Sequence, residues 1–201
     1  MTTFYLIRHG NNDGIPHGGL SGRMPGIHLN ASGGAQAQAL AERLKESGIA
    51  RVYHSPIERA RETAEPLAAR LSVPLCALDG VTEVDFGEWT GWSFAQLEKD
   101  PRWRAFNRMR SITRIPGGEL MLEIQSRVVT SLERLRHEHP QERIAVVSHG
   151  DPIRAALVFY LGVPIDLMHG IHIDTASVSI VSADDGGVAV RCLNHTGPVP
   201  I

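Results

Sequence analysis

Several things are scarce in this chain, and each scarcity removes a class of protein. Cys76 and Cys192 are its only cysteines, too few and too far apart for a disulfide framework or a zinc cluster, which points to a reducing compartment. No uncharged apolar run is long enough to cross a bilayer. Arg8 interrupts the N-terminal apolar run after a few residues, so no secretory signal is expected there. A net charge of −2 supplies no broad basic face, which argues against nucleic acid as a partner. Neither an internal repeat nor a composition-biased linker divides the sequence. The expectation is a soluble, cytoplasmic protein with no membrane or nucleic-acid partner, its oligomeric state left open. The 201 residues, 42% hydrophobic and 21% charged, suit a single domain over 1–201 with a real core.

The pattern of elements implies an α/β fold. Thr3-Phe4-Tyr5-Leu6-Ile7 reads as a short buried strand that delivers Arg8 and His9 into a glycine-studded loop. A helical stripe of Ala37, Leu40, Ala41 and Leu44 follows, with Gly48 as its stop, and Arg51 to His54 reads as a strand. Ser55-Pro56-Ile57-Glu58 predicts a helix start, with Ser55 as cap, Pro56 in the first position and Glu58 completing a capping box. That helix is expected to run toward Leu71 and to bend at Pro66. A short strand is expected over 73–78. Ser93 and Pro101 each open a short helix, and a long one carries Leu120, Ile124, Val128, Leu132 and Leu135. Ile144 to Ser148 is an apolar run typical of a strand covered on both faces, and a helix restarts at Asp151-Pro152. Ala176 to Val181 and Val188 to Leu193 predict an antiparallel hairpin. The alternation implies a three-layer α/β/α sandwich with a mostly parallel sheet, residues 81–118 forming a small inserted cap.

Two strands each end in histidine-glycine, His9-Gly10 and His149-Gly150, so parallel pairing would set the two imidazoles side by side at one edge of the sheet. Arg8 adjoins the first histidine, and Arg59 sits in the first turn of the helix opened by Ser55-Pro56. Helix N-termini favour anions, and guanidinium forks match phosphate oxygens. Convergence of these four side chains would make a phosphoryl-sized cationic pocket in a slightly acidic protein.

Four motifs then resemble, in order, those of the histidine phosphatase superfamily. They are Arg8-His9-Gly10, the stretch Ser55-Pro56-Ile57-Glu58-Arg59-Ala60-Arg61-Glu62-Thr63-Ala64, Glu83-Val84-Asp85-Phe86-Gly87-Glu88-Trp89-Thr90-Gly91, and Ser148-His149-Gly150. The superfamily includes cofactor-dependent phosphoglycerate mutases, the fructose-2,6-bisphosphatase domain and many small phosphatases, and the likeness covers most of the chain. The resemblance implies a phosphoglycerate mutase-like sandwich and a metal-independent phosphatase that needs no cofactor and hydrolyses a small phosphorylated metabolite. It implies His9 as the nucleophile that becomes phosphohistidine. Arg8, Arg59 and His149 would hold the phosphoryl oxygens, and Glu83 would protonate the leaving oxygen. Asn12, Arg23 and Gly150 are expected as further substrate contacts. His9 must be neutral to attack, and repulsion from the two arginines and the second histidine is expected to lower its pKa.

The chain departs from the family pattern in places. Asn11 and Asn12 follow Gly10 where Glu-Thr or Glu-Ser is usual, and Ile15 stands where many members carry asparagine. Leu120 follows the Pro116-Gly117-Gly118-Glu119 turn in place of a small hydroxyl residue. The longer basic insertion of the mutases is missing, which favours hydrolysis over transfer. The alternatives are mutase-type phosphoryl transfer and a catalytically silent phospho-ligand binder. A serine hydrolase built on Ser148-His149 fails the nucleophile-elbow pattern at Val146. The eight histidines other than His9 and His149 read as structural or solvated, and Trp89, Trp92, Trp103 and Phe106 as cap packing or substrate wall.

Overall fold

The computed structural model describes residues 1–16 and 18–197; His17, expected to be structural or solvated, lies outside the described residues. The chain runs β1 (Thr2–Arg8), α1 (Ala31–Arg43), β2 (Arg51–His54), α2 (Glu58–Leu71), β3 (Leu75–Ala77), α3 (Phe94–Leu97), α4 (Pro101–Arg108), α5 (Met121–Glu138), β4 (Arg143–Ser148), α6 (Gly150–Leu161), β5 (Val178–Asp184) and β6 (Gly187–His195). Among the described residues the strands form one six-stranded sheet in the order β3-β2-β4-β1-β5-β6. The β1–β4, β2–β4 and β2–β3 pairs are parallel, and the hairpin β5–β6 adds two antiparallel pairings at one edge.

Alternation along β1 explains the layers. Tyr5 and Ile7 face a core with Leu40 and Ala41 of α1, Leu44 just past its end, and Ala60, Ala64 and Leu67 of α2. Phe4 and Leu6 face the other core, with Ile124, Val128 and Leu132 of α5 and with Ile153 and Leu157 of α6. The helices after β1 and β4 thus leave adjacent parallel strands toward opposite faces. That divergence opens a crevice beyond the carboxyl ends of the two strands, where open α/β sheets place their sites. Residues 81–118 carry α3 and α4, and Trp89, Leu97, Phe106 and Ile115 are fully buried in the same core as Phe4 and Leu6.

One local expectation needs correction. Helix α2 starts at Glu58 with Ile57 in the capping position and no side-chain cap. The Ser55 hydroxyl, ahead of the capping position, accepts the Ile57 N–H at 3.4 Å and bonds His149 at 2.8 Å. Glu58 accepts the Gly26 N–H at 3.1 Å across the loop. The helix continues through Pro66 to Leu71. Within 79–89, single 3₁₀ turns at Asp79–Val81 and Gly87–Trp89 flank a stretch without regular structure. The capping box at Ser93 and Gln96 forms as expected.

Candidate active site

Strand register brings the two histidines together. Arg8 pairs with Ser148, so His9 and His149 are the next residues on neighbouring strands, and the His9 N–H donates to the Ser148 carbonyl at 2.9 Å. Their ring centroids lie 5.1 Å apart with planes at 61°. Close approach of α1 steadies the loop after His9. A Cβ on Gly10 would sit 2.7 Å from the Gly33 carbonyl oxygen, and one on Gly33 would sit 2.0 Å from that of Asn11. The Gly10 N–H donates to Thr63 Oγ1 at 2.9 Å, tying the loop to α2.

Hydrogen bonding fixes the His9 ring. Nδ1 lies 2.7 Å from the Gly10 carbonyl, which can only accept, so Nδ1 carries the proton and Nε2 the lone pair. Arg59 Nε donates to that Nε2 at 3.3 Å. His9 is 4% exposed, and that remaining access is to the cleft it lines. Its pKa is pulled down to about 3, first by burial and then by Arg59, with Arg8 adding to the effect. The sequence-based expectation of a neutral imidazole holds, but charge repulsion is the second cause and not the first.

Two arginines and a second histidine adjoin His9, Arg59 and His149 buried and Arg8 half-buried. Arg59 is 3% exposed and donates from Nη2 to the Gly22 carbonyl at 2.9 Å. Arg8 donates from Nη1 to the Ile173 carbonyl at 2.6 Å. Burial draws both guanidinium pKa values down from the ordinary arginine value, yet both side chains remain cations. His149 is fully buried; its Nε2 bonds Ser55 Oγ at 2.8 Å, and its Nδ1 faces Glu83 Oε2 at 3.7 Å. Burial first, then His9 and Arg59, hold His149 well below the usual imidazole range, so it too is neutral. Arg8 Nε, Arg59 Nη1 and His149 Nδ1 are all buried without a hydrogen-bond partner among the described residues. Buried polar atoms are rarely left so; five others lie elsewhere among the described residues, and these three belong to side chains that adjoin His9.

Glu83 closes the group. Its Oε1 accepts the Val84 N–H at 2.9 Å, while Oε2 lies 4.0 Å from Arg59 Nη2. Burial and the nearby Asp151 carboxylate push its pKa up to about 7, against Arg59, the Val84 N–H and Arg8. Near neutral pH the carboxyl therefore exists in both protonation states.

The remaining expected contacts divide. Asn12 lines the cleft, its Oδ1 accepting the Gly14 N–H at 2.9 Å, and Gly150 lines it at the start of α6. Arg23 does not reach the cleft lining, contrary to expectation. Its Nε donates to the Glu83 carbonyl at 2.8 Å and its Nη2 to Glu119 Oε2 at 2.9 Å. Glu119 also accepts from the Asp85 N–H and from Arg127, which itself reaches the Glu83 carbonyl at 3.2 Å. Arg23 therefore steadies the loop that presents Glu83.

Sequence reasoning missed Ser55 as the partner of His149, Thr63 as the tie to Gly10, and Asp151 and Arg154 as cleft residues. Cleft aromatics are Phe86 and Phe94, whereas Trp89 is buried with its Nε1 donating to Asp100 at 3.1 Å. Ser148 donates to the Val81 carbonyl at 2.6 Å and is 2% exposed, a structural role. The cleft encloses about 430 Å³, room for a small molecule. Among the described residues no group of three or more histidine, cysteine, aspartate or glutamate side chains is arranged to hold a metal ion, and no helix is long and apolar enough to cross a membrane.

The model of the histidine phosphatase superfamily (branch 1) matches residues 4–196. The chain belongs to the histidine phosphatase superfamily. Among curated members it is 36% identical to the bifunctional protein Rv2228c of Mycobacterium tuberculosis over 98% of its own length, but spans only 54% of that relative. It is 29% identical to phosphoserine phosphatase 1 of Hydrogenobacter thermophilus, covering 98% of this chain and 93% of that one. In structure it resembles the alpha-ribazole phosphatase from Shigella flexneri, with a TM-score of 0.88, 24% identity and 99% of each chain covered. That last likeness concerns the fold, which matches the α/β architecture expected from sequence.

Proposed function

We propose that this histidine phosphatase superfamily member hydrolyses a small-molecule phosphomonoester through a phosphohistidine on His9. The observation that carries the reading is a His9 ring whose Nε2 keeps its lone pair, beside Arg59 at 3.3 Å and His149 at 5.1 Å between ring centroids, with Arg8 lining the same cleft and each of the three keeping one buried atom without a partner among the described residues. Full-length similarity to a phosphoserine phosphatase supports phosphatase chemistry as a class.

The reaction runs in two displacements. His9 Nε2 attacks phosphorus, the ester oxygen leaves, and Glu83 gives that oxygen its proton. The Gly10 carbonyl, accepting from Nδ1–H, steadies the positive charge that forms on the phosphorylated ring. Water then attacks the phosphohistidine and passes a proton to the Glu83 carboxylate, releasing inorganic phosphate and restoring both residues. Arg59 changes partner on the way: its long bond to Nε2 gives way to phosphoryl oxygens, which exposes the nucleophile only when substrate is in place. Fixed guanidinium charge supplies most of the acceleration, as expected for phosphoryl transfer.

Incubation with para-nitrophenyl phosphate should release phosphate at an undiminished rate in the presence of a strong chelator. A sample that turns over only after divalent metal is added would overturn the reading.

Ser55 supplies a second check. When Ser55 donates to Nε2 of His149, the proton sits on Nδ1. That atom faces Glu83 Oε2 at 3.7 Å and has no hydrogen-bond partner among the described residues, so in this reading it can donate to a phosphoryl oxygen. Ser55→Ala frees the tautomer and should lower kcat by about tenfold, in the range lost when a supporting partner of a site residue is removed. An unchanged kcat would show that His149 is set by other contacts.

A further inference from the structure

The cleft contains a carboxylate that phosphoryl binding does not use. Asp151, in the first turn of α6, lines the cleft with its side chain 17% exposed. Its Oδ1 accepts from Arg154 Nη1 at 2.8 Å, and Arg154 Nε donates to the Ile171 carbonyl at 2.9 Å. Arg154 stands beside the cradle: a Cβ on Gly150 would lie 3.3 Å from Arg154 Nη1 and 3.6 Å from Arg8 Nε. The third arginine of the cleft is therefore anchored and neutralised, and only Arg8 and Arg59 remain as uncommitted positive charge. Asp13 also lines the cleft, held by the Asn30 amide at 2.7 Å. Three arginines thus face three carboxylates, Glu83 included. With Glu83 protonated, one net positive charge is left to meet a phosphoryl dianion and none to meet a second anion. Asp151 Oδ2 accepts no hydrogen bond from the described residues, so it can receive one from a ligand.

We propose that Asp151, tethered to Arg154, selects monophosphate esters whose leaving group carries a hydrogen-bond donor, hydroxyl or ammonium, and no second anionic group. This rests on the phosphatase reading of the same cleft. A leaving group with a carboxylate or second phosphate would meet Asp151 as a like charge, a juxtaposition that strongly disfavours binding. A hydroxyl or ammonium would instead satisfy its open oxygen.

The test compares kcat/KM for phosphoethanolamine, glycerol phosphate, phosphoglycolate and bisphosphoglycerate, with para-nitrophenyl phosphate as the common reference. The two donor-bearing esters should exceed the two anionic ones by about tenfold or more. In Asp151→Asn that ratio should shrink at least about fivefold, chiefly through a gain on phosphoglycolate. The ratio is the readout, since any general effect on Glu83 acts on all four alkyl esters alike. Phosphoglycolate equalling or beating phosphoethanolamine in the native protein would overturn the proposal, and needs no variant. So would a ratio unmoved in Asp151→Asn. If para-nitrophenyl phosphate is not hydrolysed at all, the phosphatase reading falls by itself. Calorimetric binding of the same esters to His9→Ala then measures the selectivity without turnover: preference for phosphoethanolamine supports it, and preference for phosphoglycolate refutes it.

Discussion

His9→Ala loses phosphate release by on the order of 10³-fold or more, as removal of a covalent nucleophile does elsewhere. The expectation follows from geometry. Nδ1 is committed to the Gly10 carbonyl, so Nε2 has no proton to lose before attack. With its pKa near 3, the ring is neutral across the whole working range, and no activating base is needed. His149 cannot replace it, because its Nε2 is held by Ser55 and its ring is fully enclosed. The native protein, quenched during turnover, should show a phosphoryl adduct by intact mass that His9→Ala lacks. Thermal melting separates chemistry from folding, since the substitution should leave a cooperative transition. Turnover within about tenfold of native in a folded variant would move the nucleophile elsewhere.

Glu83→Gln should cost alkyl phosphates about 10²–10³-fold while costing an aryl phosphate only a few-fold, because a phenolate leaves without prior protonation. The same carboxyl predicts the pH profile. A pKa raised to about 7 leaves Glu83 protonated below that pH and ionised above it. For alkyl esters kcat/KM, which reports the free enzyme, should therefore fall as pH rises through 7, approaching tenfold per unit. A bound phosphate dianion keeps the proton on longer, so the limb in kcat should lie at higher pH. Aryl phosphates should lack this alkaline limb, and so should Glu83→Gln with either substrate class. Equal losses on both classes would assign the acid to another carboxylate.

The parts of the site legible in the sequence are those encoded locally. A strand ending in histidine-glycine announces itself twice, and parallel pairing of β1 with β4 converts the two signals into neighbours. The α/β alternation, the hairpin and the short helices at Ser93 and Pro101 were readable for the same reason. Serine-proline-x-glutamate is a capping signature, and it does not show that the helix begins at Glu58 or that the Ser55 hydroxyl, which accepts the Ile57 N–H, also bonds the distant His149. Arg23 looked free in a glycine-rich loop, whereas its partners Glu119 and the Glu83 carbonyl come from far along the chain. Asp151 and Arg154, three residues apart, form a pair that any exposed helix face could carry. Nothing in the local pattern shows that the first turn of α6 borders the cleft. Burial, the leading cause of the His9 shift, is a property of the assembled protein and leaves no trace in spacing.

The matching of Arg8 with Ser148 carries one more implication. Because side chains alternate along a strand, a slip of a single residue would turn one imidazole into the opposite layer and dissolve the cradle. The two strands, Thr2–Arg8 and Arg143–Ser148, lie far apart in the sequence, so their pairing closes a long loop. If the proposed cradle binds phosphate, that capacity cannot precede the pairing of β1 with β4, and a partly unfolded chain is expected to bind none.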